Sequence, residues 1–366
     1  MSNFNLTDIS VSKDVLQKIC DNRQYNNQII DYYRRFANKG GSVAFPSDTL
    51  RRKVKRIDNC NKVWMMDYYK DYDIKDFQKT VLCRDAFCAN CKKVRQSARM
   101  GKYIPQIEPY SDYLYHMTLT VPNCSGEDLR STVKLMCTCF SRLILYLKGK
   151  EKISGIDFCF NYLGAIRSLE VTFNNKSYHP HFHVALALDN FTYKDSDRTI
   201  INDFSYNYGK LSRIFHPLEI LIQKIWRLLI EKKPITLSNI NSLDRGYSCT
   251  IDKFSKGNYV ELFKYMTKGT KEDGTLLSYY NFIHLQYGLR NVKQIQGYGI
   301  FYNMIKENID LEEVEKIYSD FINELKEKEA PSVSYDTPLK LRNTTTTIIS
   351  RKSYFAYLKE SLLNDT

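Results

Sequence analysis

Three of the six histidines lie within five residues of one another, at His179, His181 and His183. In an extended strand alternate side chains share a face, so His181 and His183 point the same way, about 7 Å apart along the strand. Two imidazoles on one sheet face can converge on a single metal ion. His179 precedes Pro180 and is predicted to lie just off the strand.

A carboxylate on a neighbouring strand can complete this site. Residues 162–173 and 181–188 are predicted to be strands joined by the turn-forming cluster 174–177. This hairpin brings Glu170 beside one of the histidines. Two imidazoles and one carboxylate leave coordination positions open for a substrate oxygen. The alternative is a pair of exposed strand histidines without a ligand, and the glutamate on the partner strand favours a metal site.

Residues 258–268 are predicted to form a helix with two neighbouring stripes of side chains. The core-facing stripe is Tyr259, Leu262, Phe263 and Met266. The second stripe places a carboxylate, a phenol and an ammonium group at the edge of the buried face, and consists of Glu261, Tyr265 and Lys268.

This second stripe has the composition of a phosphoryl-transfer site. A phenol with a pKa near 10 is a weak nucleophile until a cation stabilises the charge on it and on the phosphate. Lys268 can supply part of that charge, and Glu261 can act as a general base for a second nucleophile. The alternative is an ordinary amphipathic helix in a chain with 28 tyrosines.

The cysteines indicate a second metal site. Cys83, Cys88 and Cys91 follow the spacing Cys-x₄-Cys-x₂-Cys, and Cys60 can supply a fourth thiolate, which suits a closed tetrahedral zinc site. The alternative is a set of scattered reduced cysteines; a redox pair is disfavoured because no thioredoxin-like context surrounds it. The basic residues predicted to contact DNA beside this site are Arg84, Lys92, Lys93, Arg95 and Arg99.

The charge balance favours a polyanionic partner. Lys and Arg total 54 against 41 Asp and Glu, for a net charge of +13. A basic surface kept for solubility is the alternative. A basic run at residues 51–56 can contact phosphate, although a solvated helix face is its more common interpretation. No apolar run reaches membrane-spanning length and no signal-peptide core is present, so a cytoplasmic location is expected.

Other elements follow from periodicity and turn residues. Strands are predicted at residues 113–121 and 247–251, and helices at 129–149, 217–231 and 311–328. The tail 331–350 is predicted to be a linker, followed by a short terminal helix.

The ordered motifs together resemble the plasmid rolling-circle replication initiators of the HUH endonuclease superfamily, of the single-tyrosine type. The similarity spans about residues 55–300. The matching segments are His116–Asn123 as the first motif, Arg167–Thr172 as the glutamate-bearing strand, Pro180–Val184 as the histidine motif and Glu261–Lys268 as the tyrosine motif. A similar cysteine arrangement lies upstream of the first motif in these initiators.

The resemblance implies an α+β fold with a central antiparallel sheet flanked by helices, an N-terminal zinc module and a helical C-terminal region. The corresponding domains are 1–105 with the zinc module, 106–300 with the nicking and joining endonuclease, and 301–366 with the helical region and tail. The histidine strand is expected to be central in the sheet.

The resemblance also implies a reaction. Tyr265 attacks the scissile phosphate, forming a 5′-phosphotyrosyl enzyme and a free 3′-OH primer. His181, His183 and Glu170 hold Mg²⁺ or Mn²⁺, and Glu261 matches the position implicated in the terminating cleavage. The chain departs from the family at Met266-Thr267, where Pro-Val is frequent, and at Ala89, where proline is usual.

Expected partners are plasmid origin DNA, single-stranded or extruded as a hairpin, and host helicase and replication machinery. A homodimer is left open, and no membrane is expected. Alternatives are a relaxase or transposase of the same superfamily, or a non-catalytic zinc-braced DNA-binding regulator. A metallohydrolase acting on small molecules is more distant, because it needs neither the basic surplus nor the tyrosine helix.

Overall fold

A computed structural model describes residues 23–69, 74–158, 160–174, 177–191, 205–208, 211–263, 277–305 and 344–350. These residues divide into two compact units. The first contains the described residues of Met1–Ala98 and Ile309–Thr366, and the second contains those of Arg99–Asn308. The division at residues 105 and 300 remains a prediction. No helix in the described ranges has the length and apolar character needed to cross a bilayer.

In its described residues, the first unit contains two complete helices, a short hairpin and a three-stranded sheet. Its helices are α1 (23–38) and α2 (Ser47–Asp58), and the first part of α3 (Ala89–Ile107) belongs to it as well. Between α1 and α2 lie β1 (Gly41–Ser42) and β2 (Phe45–Pro46). The sheet consists of β3 (Val63–Tyr69), β4 (Ile74–Thr80) and β12 (Thr344–Ser350), in the order β12-β3-β4.

Strand β12 corrects the prediction of a linker over residues 331–350. Residues 344–350 pair antiparallel with β3, with Thr347 opposite Met66. The segment consists of threonines and isoleucines up to Ser350, and β-branched residues favour strands. The threonine run lies in the segment predicted to be a linker, although its residue types suit a pleated sheet. The helix predicted at 311–328 and the short terminal helix lie outside the described residues.

A five-stranded antiparallel sheet forms the centre of the second unit, in the order β10-β5-β7-β6-β11. Its strands are β5 (Leu114–Thr120), β6 (Asn161–Asn174), β7 (Ser177–Asp189), β10 (Cys249–Lys253) and β11 (Ile295–Gly299). A separate pair consists of β8 (Ser205–Tyr208) and β9 (Leu211–Ile214). The predicted α+β class with a central antiparallel sheet is confirmed, and the histidine strand β7 is the middle strand.

Helices flank this sheet, as predicted. They are α4 (Leu129–Leu147), α5 (Pro217–Ile230), α6 (Leu237–Asn241), α7 (Lys256–Phe263) and α8 (Tyr279–Gly288), preceded by a 3₁₀ turn (Glu108–Tyr113). The strands predicted at 113–121, 162–173, 181–188 and 247–251 and the helices predicted at 129–149 and 217–231 are confirmed, with ends shifted by a few residues.

The two faces of β7 pack against different elements. Phe182 points to the face covered by α4 and α5, where its ring lies 5.6 Å from that of Phe140 and 6.3 Å from that of Trp226. Ala185 points to the other face, where it belongs to a buried cluster with Leu262 and Phe263 of α7. Because side chains alternate along a strand, His181 and His183 share the face that α7 covers.

A buried carboxylate ties α5 to the edge strand β10. Glu219 has no exposed surface, and its two oxygens accept hydrogen bonds from the backbone N–H groups of His216 and Ile251, both at 2.6 Å. The first bond closes the N-terminal turn of α5, and the second holds β10. Since β10 leads directly into α7, this carboxylate helps to set where α7 begins.

Removal of this carboxylate is expected to destabilise the protein. Glu219→Ala leaves two backbone N–H groups without their acceptor, and each such buried orphan costs about 1–3 kcal/mol. The thermal unfolding midpoint should therefore fall by several degrees. The control is Glu127→Ala, which truncates an exposed carboxylate and should leave the midpoint unchanged. Equal midpoints for the two variants would show that Glu219 does not hold α5 and β10 together.

Candidate functional site

The register of β6 and β7 brings together the three residues predicted to bind a metal. Glu170 lies directly opposite His181, and Ser168 lies opposite His183. Oε2 of Glu170 lies 3.2 Å from Nε2 of His181 and 3.1 Å from Nε2 of His183. The carboxylate therefore contacts both imidazoles, one across the strand pair and one diagonally.

The three side chains of this group are largely buried, and the electrostatic interactions between them are strong. The side chains of Glu170, His181 and His183 are 5%, 12% and 11% exposed, so water screens them poorly. Burial acts to raise the pKa of Glu170. Hydrogen bonds and charge from the two imidazoles outweigh this effect and hold the pKa well below its usual range. The lowered pKa favours the ionised carboxylate, which is the form that binds a metal.

The distances fit a divalent cation. For an octahedral ion with ligands at 2.0–2.1 Å, adjacent donor atoms lie about 3.0 Å apart. The two measured separations, 3.1 and 3.2 Å, are close to that value. A cation held here would take the place of the direct contacts between the imidazoles and Glu170. Three ligands on one face leave positions for substrate oxygens, so the group is compatible with metal binding.

Hydrogen bonds at Nδ1 orient both imidazoles. Nδ1 of His181 donates to the carbonyl oxygen of His179 at 3.2 Å. Nδ1 of His183 lies 3.3 Å from Nε2 of His116 on β5, and the two rings stack with 5.4 Å between centroids. If Nδ1 carries the proton in both ligands, each Nε2 lone pair faces Glu170, which is the tautomer that metal binding requires.

The sequence-based assignment missed His116 as part of this site. It belongs to the first motif, on β5, and shares a face with Thr118, which lies opposite His183. Burial lowers its pKa to about 4, an effect reinforced by His183 and opposed by Asp252 and Glu261. A neutral His116 can accept the Nδ1 proton of His183. The period-two pattern could have revealed it, once β5 was known to pair with β7.

His179 lies within β7, not off the strand as predicted. It pairs with Thr172, and Nδ1 donates to Oδ1 of Asn123 at 2.7 Å. The next residue, Pro180, lies opposite Val171, and the pairing of β6 with β7 continues through it. The run of alternating histidines thus extends along the face from the ligands toward the hairpin turn.

The tyrosine motif is described only in its first part. Tyr259, Leu262 and Phe263 are buried, as the predicted core-facing stripe requires. Oε2 of Glu261 lies 4.0 Å from Nε2 of His183, so α7 delivers a second carboxylate to the histidine face. The predicted nucleophile Tyr265, the neighbouring Met266 and Lys268 lie outside the described residues.

The structure also brings together the four cysteines predicted to bind zinc. Their Sγ atoms are buried, with separations of 3.6 Å for Cys60–Cys91, 3.5 Å for Cys83–Cys91 and 3.6 Å for Cys60–Cys88. A tetrahedral zinc ion with bonds near 2.3 Å needs sulfur separations of about 3.8 Å. The group is therefore compatible with metal binding, and a small expansion would accommodate zinc.

Two backbone N–H groups donate hydrogen bonds to cysteine sulfurs, as they would to thiolates. The N–H of Arg84 donates to Sγ of Cys91 at 3.2 Å, and the N–H of Cys83 donates to Sγ of Cys60 at 3.4 Å. Hydrogen bonds among the four sulfurs, together with burial, raise the pKa of Cys83. A divalent cation would reverse this effect, because it stabilises the thiolate form directly.

Two of the five basic residues predicted to contact DNA are buried, which corrects that part of the prediction. Lys92 packs its ammonium group over Tyr25 and is 4% exposed. Arg99 is 3% exposed and donates to Oε1 of Gln294 at 2.6 Å. The alternation of buried and exposed positions along α3 explains the difference, since charge alone does not indicate which helix face a residue occupies. Arg84 and Lys93 are exposed and Arg95 is half-buried.

Residues 74–205 match the family described as "Replication protein". This region is therefore similar to a replication-protein domain. It contains Glu170, His181 and His183 but ends before α7. The predicted resemblance to plasmid rolling-circle replication initiators is thereby confirmed.

Curated relatives carry a corresponding name. A "Protein rep" of Streptococcus pneumoniae is 23% identical over 274 residues, which cover 72% of this chain and 73% of that protein. A "Protein rep" of Staphylococcus aureus is 29% identical over 147 residues, covering 38% of this chain and 59% of that protein. A third, from Bacillus amyloliquefaciens, is 40% identical over 147 residues, covering 37% and 40%. No solved structure matches this chain.

Loss of the acceptor at His116 is expected to weaken metal binding. His116→Phe keeps an aromatic ring against His183 but removes the partner of its Nδ1 proton. Such outer-shell changes typically cost about 10–100-fold in metal affinity. Titration of the protein with Mn²⁺, followed by electron paramagnetic resonance, measures the effect after the cysteine site has been saturated with zinc.

The matched variant is His116→Gln, whose amide oxygen can still accept a hydrogen bond. It should recover most of the affinity that the phenylalanine variant loses. Wild-type affinity in both variants would show that His116 does not orient His183. Equal loss in both would indicate a packing role alone.

Proposed function

We propose that the protein is a metal-dependent endonuclease that nicks one strand of plasmid origin DNA and thereby starts rolling-circle replication. The observation that carries this proposal is the convergence of Glu170, His181 and His183 on one sheet face, with Glu261 of α7 beside them. Glu170, His181 and His183 lie in the region that matches the replication-protein family, and the open coordination positions of an ion held by them suit a phosphate oxygen.

Glu170, His181 and His183 would hold Mg²⁺ or Mn²⁺. When bound, the ion acts as a Lewis acid on the scissile phosphate and neutralises part of its charge. The buried carboxylate would supply an anionic ligand, and the two imidazoles, held by contacts at Nδ1, would supply two neutral ligands from a fixed position on the sheet. Rigid strands suit this task because transesterification depends on accurate positioning.

Tyr265 is the proposed nucleophile. Its phenolic oxygen loses its proton to solvent and bonds to phosphorus, while the bond from phosphorus to the 3′ oxygen of the neighbouring nucleotide breaks and that oxygen takes up a proton. The products are a 5′-phosphotyrosyl enzyme and a 3′-OH primer. The support for Tyr265 is its spacing: it follows Glu261 by four residues and precedes Lys268 by three. Lys268 is assigned to charge neutralisation at the phosphate.

Glu261 is proposed to act in the terminating cleavage, where a second nucleophile must lose a proton. Its carboxylate is 34% exposed and lies 4.0 Å from His183, so it can reach both solvent and the face that the metal ligands share. A partly exposed carboxylate can pass a proton to water after each turnover, which suits a general base.

The remaining assignments follow from this function. The four-cysteine group would hold structural Zn²⁺, and Arg84, Lys93 and Arg95 remain candidates for DNA contact. Origin DNA presents its cleavage site as a single strand or an extruded hairpin, and host helicase and polymerase extend the primer. Plasmid DNA is cytoplasmic, so the protein would act there. A homodimer is compatible with the proposal.

Nicking should require both the tyrosine and the metal ligands. We expect purified protein with Mn²⁺ to convert a supercoiled circle carrying its gene and flanking DNA to nicked circles, with a denaturant-resistant protein–DNA adduct. Tyr265→Phe should abolish the adduct while preserving DNA binding. His181→Ala/His183→Ala should abolish cleavage because no cation is held at the phosphate.

The matched control is Tyr302→Phe, which removes a phenolic hydroxyl from an exposed tyrosine outside the motif and should nick normally. An adduct that persists in Tyr265→Phe would assign the nucleophile to another residue. Binding without nicking by the wild-type protein would contradict the enzymatic proposal and favour a DNA-binding regulator.

A further inference from the structure

Helix α2 presents a basic face that the proposed cleavage chemistry does not use. Four of its five cationic residues are exposed, namely Arg51, Arg52, Lys55 and Arg56. With 100° of rotation per residue the first three occupy an arc of about 100° on one side of the helix. This face belongs to the basic run at residues 51–56, for which the sequence alone favoured a solvated helix face. It is narrow, contiguous and predominantly positive.

The opposite face of α2 is fixed within the first unit. Leu50 and Ile57 are fully or almost fully buried. Lys53 donates to Oδ2 of Asp85 at 2.9 Å, and Arg56 donates to the carbonyl oxygen of Cys83 at 2.7 Å. Asp85 also accepts from Tyr33 of α1 at 2.9 Å. The segment 51–56 therefore divides its charges between two uses: Lys53 and Arg56 hold the helix, and the other three face outward.

The cysteine group adds to this rigidity. Cys60 lies two residues beyond the end of α2, and its Sγ contacts those of Cys88 and Cys91. Arg56 reaches the same loop through Cys83. The helix is thus held along its buried side and at its C-terminal end, which lowers the entropic cost of presenting charges to a large partner.

Two acidic residues lie near the basic face and do not cancel it. Asp48 contacts Arg51 at 3.3 Å, with both side chains more than half exposed. Such exposed pairs contribute about 0–1 kcal/mol, so a phosphate can displace the carboxylate. Asp58 contacts Lys62 at 2.9 Å. Neither acidic residue neutralises Arg52 or Lys55.

We propose that this face of α2 binds the phosphate backbone of double-stranded DNA and docks the protein on the duplex. The proposal rests on the proposed function, because it takes plasmid DNA as the substrate. An α-helix with side chains, about 10–12 Å wide, matches the major groove, which is about 12 Å wide. Arginine and lysine on its outer face can then contact phosphates on either side of the groove.

The chemistry favours a duplex over a single strand. Single-strand sites combine positive charge with aromatic side chains on which bases stack. The exposed face of α2 contains arginine and lysine without any aromatic residue, since the sequence of the helix is SDTLRRKVKRID. Phosphate contact without stacking suits a duplex, whose bases are already paired.

The test compares two triple variants with the same change in charge. Arg51→Gln/Arg52→Gln/Lys55→Gln removes the face, and Lys150→Gln/Lys152→Gln/Lys232→Gln removes three exposed lysines of the second unit. Fluorescence anisotropy measures binding to a random 30-base-pair duplex and to a 30-nucleotide single strand between 50 and 200 mM salt, conditions in which such contacts are strongly salt-dependent. Zinc content and the thermal unfolding midpoint verify that each variant is folded.

The α2 variant should bind the duplex at least about tenfold more weakly, and the slope of log K against log salt should fall by roughly 2–3, because each phosphate contact contributes about 0.9. Its affinity for the single strand should change no more than that of the control variant. Wild-type duplex affinity and salt slope in the α2 variant would overturn the proposal, as would an equal loss in the control or an equal loss for both DNA forms.

This assay needs no cleavage. It therefore reports on α2 even if the nicking assay fails, and a failure here leaves the tyrosine mechanism to be judged by its own experiment.

Discussion

The pairing of β6 with β7 is the constraint on which the candidate site depends. It places Glu170 opposite His181 and diagonal to His183, so one carboxylate oxygen contacts both imidazoles. A shift of one residue would turn the histidines to the other face of the sheet and separate them from Glu170. Burial of Phe182 and Val184 on that other face disfavours such a shift, because it would expose them and bury two imidazoles among apolar side chains.

The same alternation brings the proposed metal ligands and the described part of the tyrosine motif together. Ile166, Ala185 and Ala187 share the histidine face and pack against Leu262 and Phe263 of α7. Apolar contact at one end of the face thus holds the helix whose Glu261 approaches His183 at the other end. Packing, rather than a direct bond between the proposed catalytic groups, sets this geometry. The hydrogen bonds that Glu219 makes to α5 and β10 support it from the edge of the sheet, just before α7 begins.

The sequence predicted the residues of the candidate site better than it predicted which basic residues are exposed. Period-two alternation indicated that His181 and His183 share a face, and the turn cluster at 174–177 indicated the hairpin. Whether Glu170 would meet one histidine or both depended on register, which local patterns do not specify. The sequence did not indicate His116 as part of the site, because its role depends on the pairing of β5 with β7, which are distant in sequence. Burial of Lys92 and Arg99 was likewise set by tertiary packing, and β12 pairs with a strand far away in sequence.

The central claim is that Glu170, His181 and His183 hold a divalent cation. Diffraction from crystals soaked in MnCl₂, collected where manganese scatters anomalously, tests it directly. We expect one strong anomalous peak bonded to Oε2 of Glu170 and to Nε2 of both histidines, at about 2.0–2.3 Å, with the remaining positions filled by water. Manganese bound elsewhere, with direct hydrogen bonds persisting between Glu170 and the imidazoles, would contradict the account.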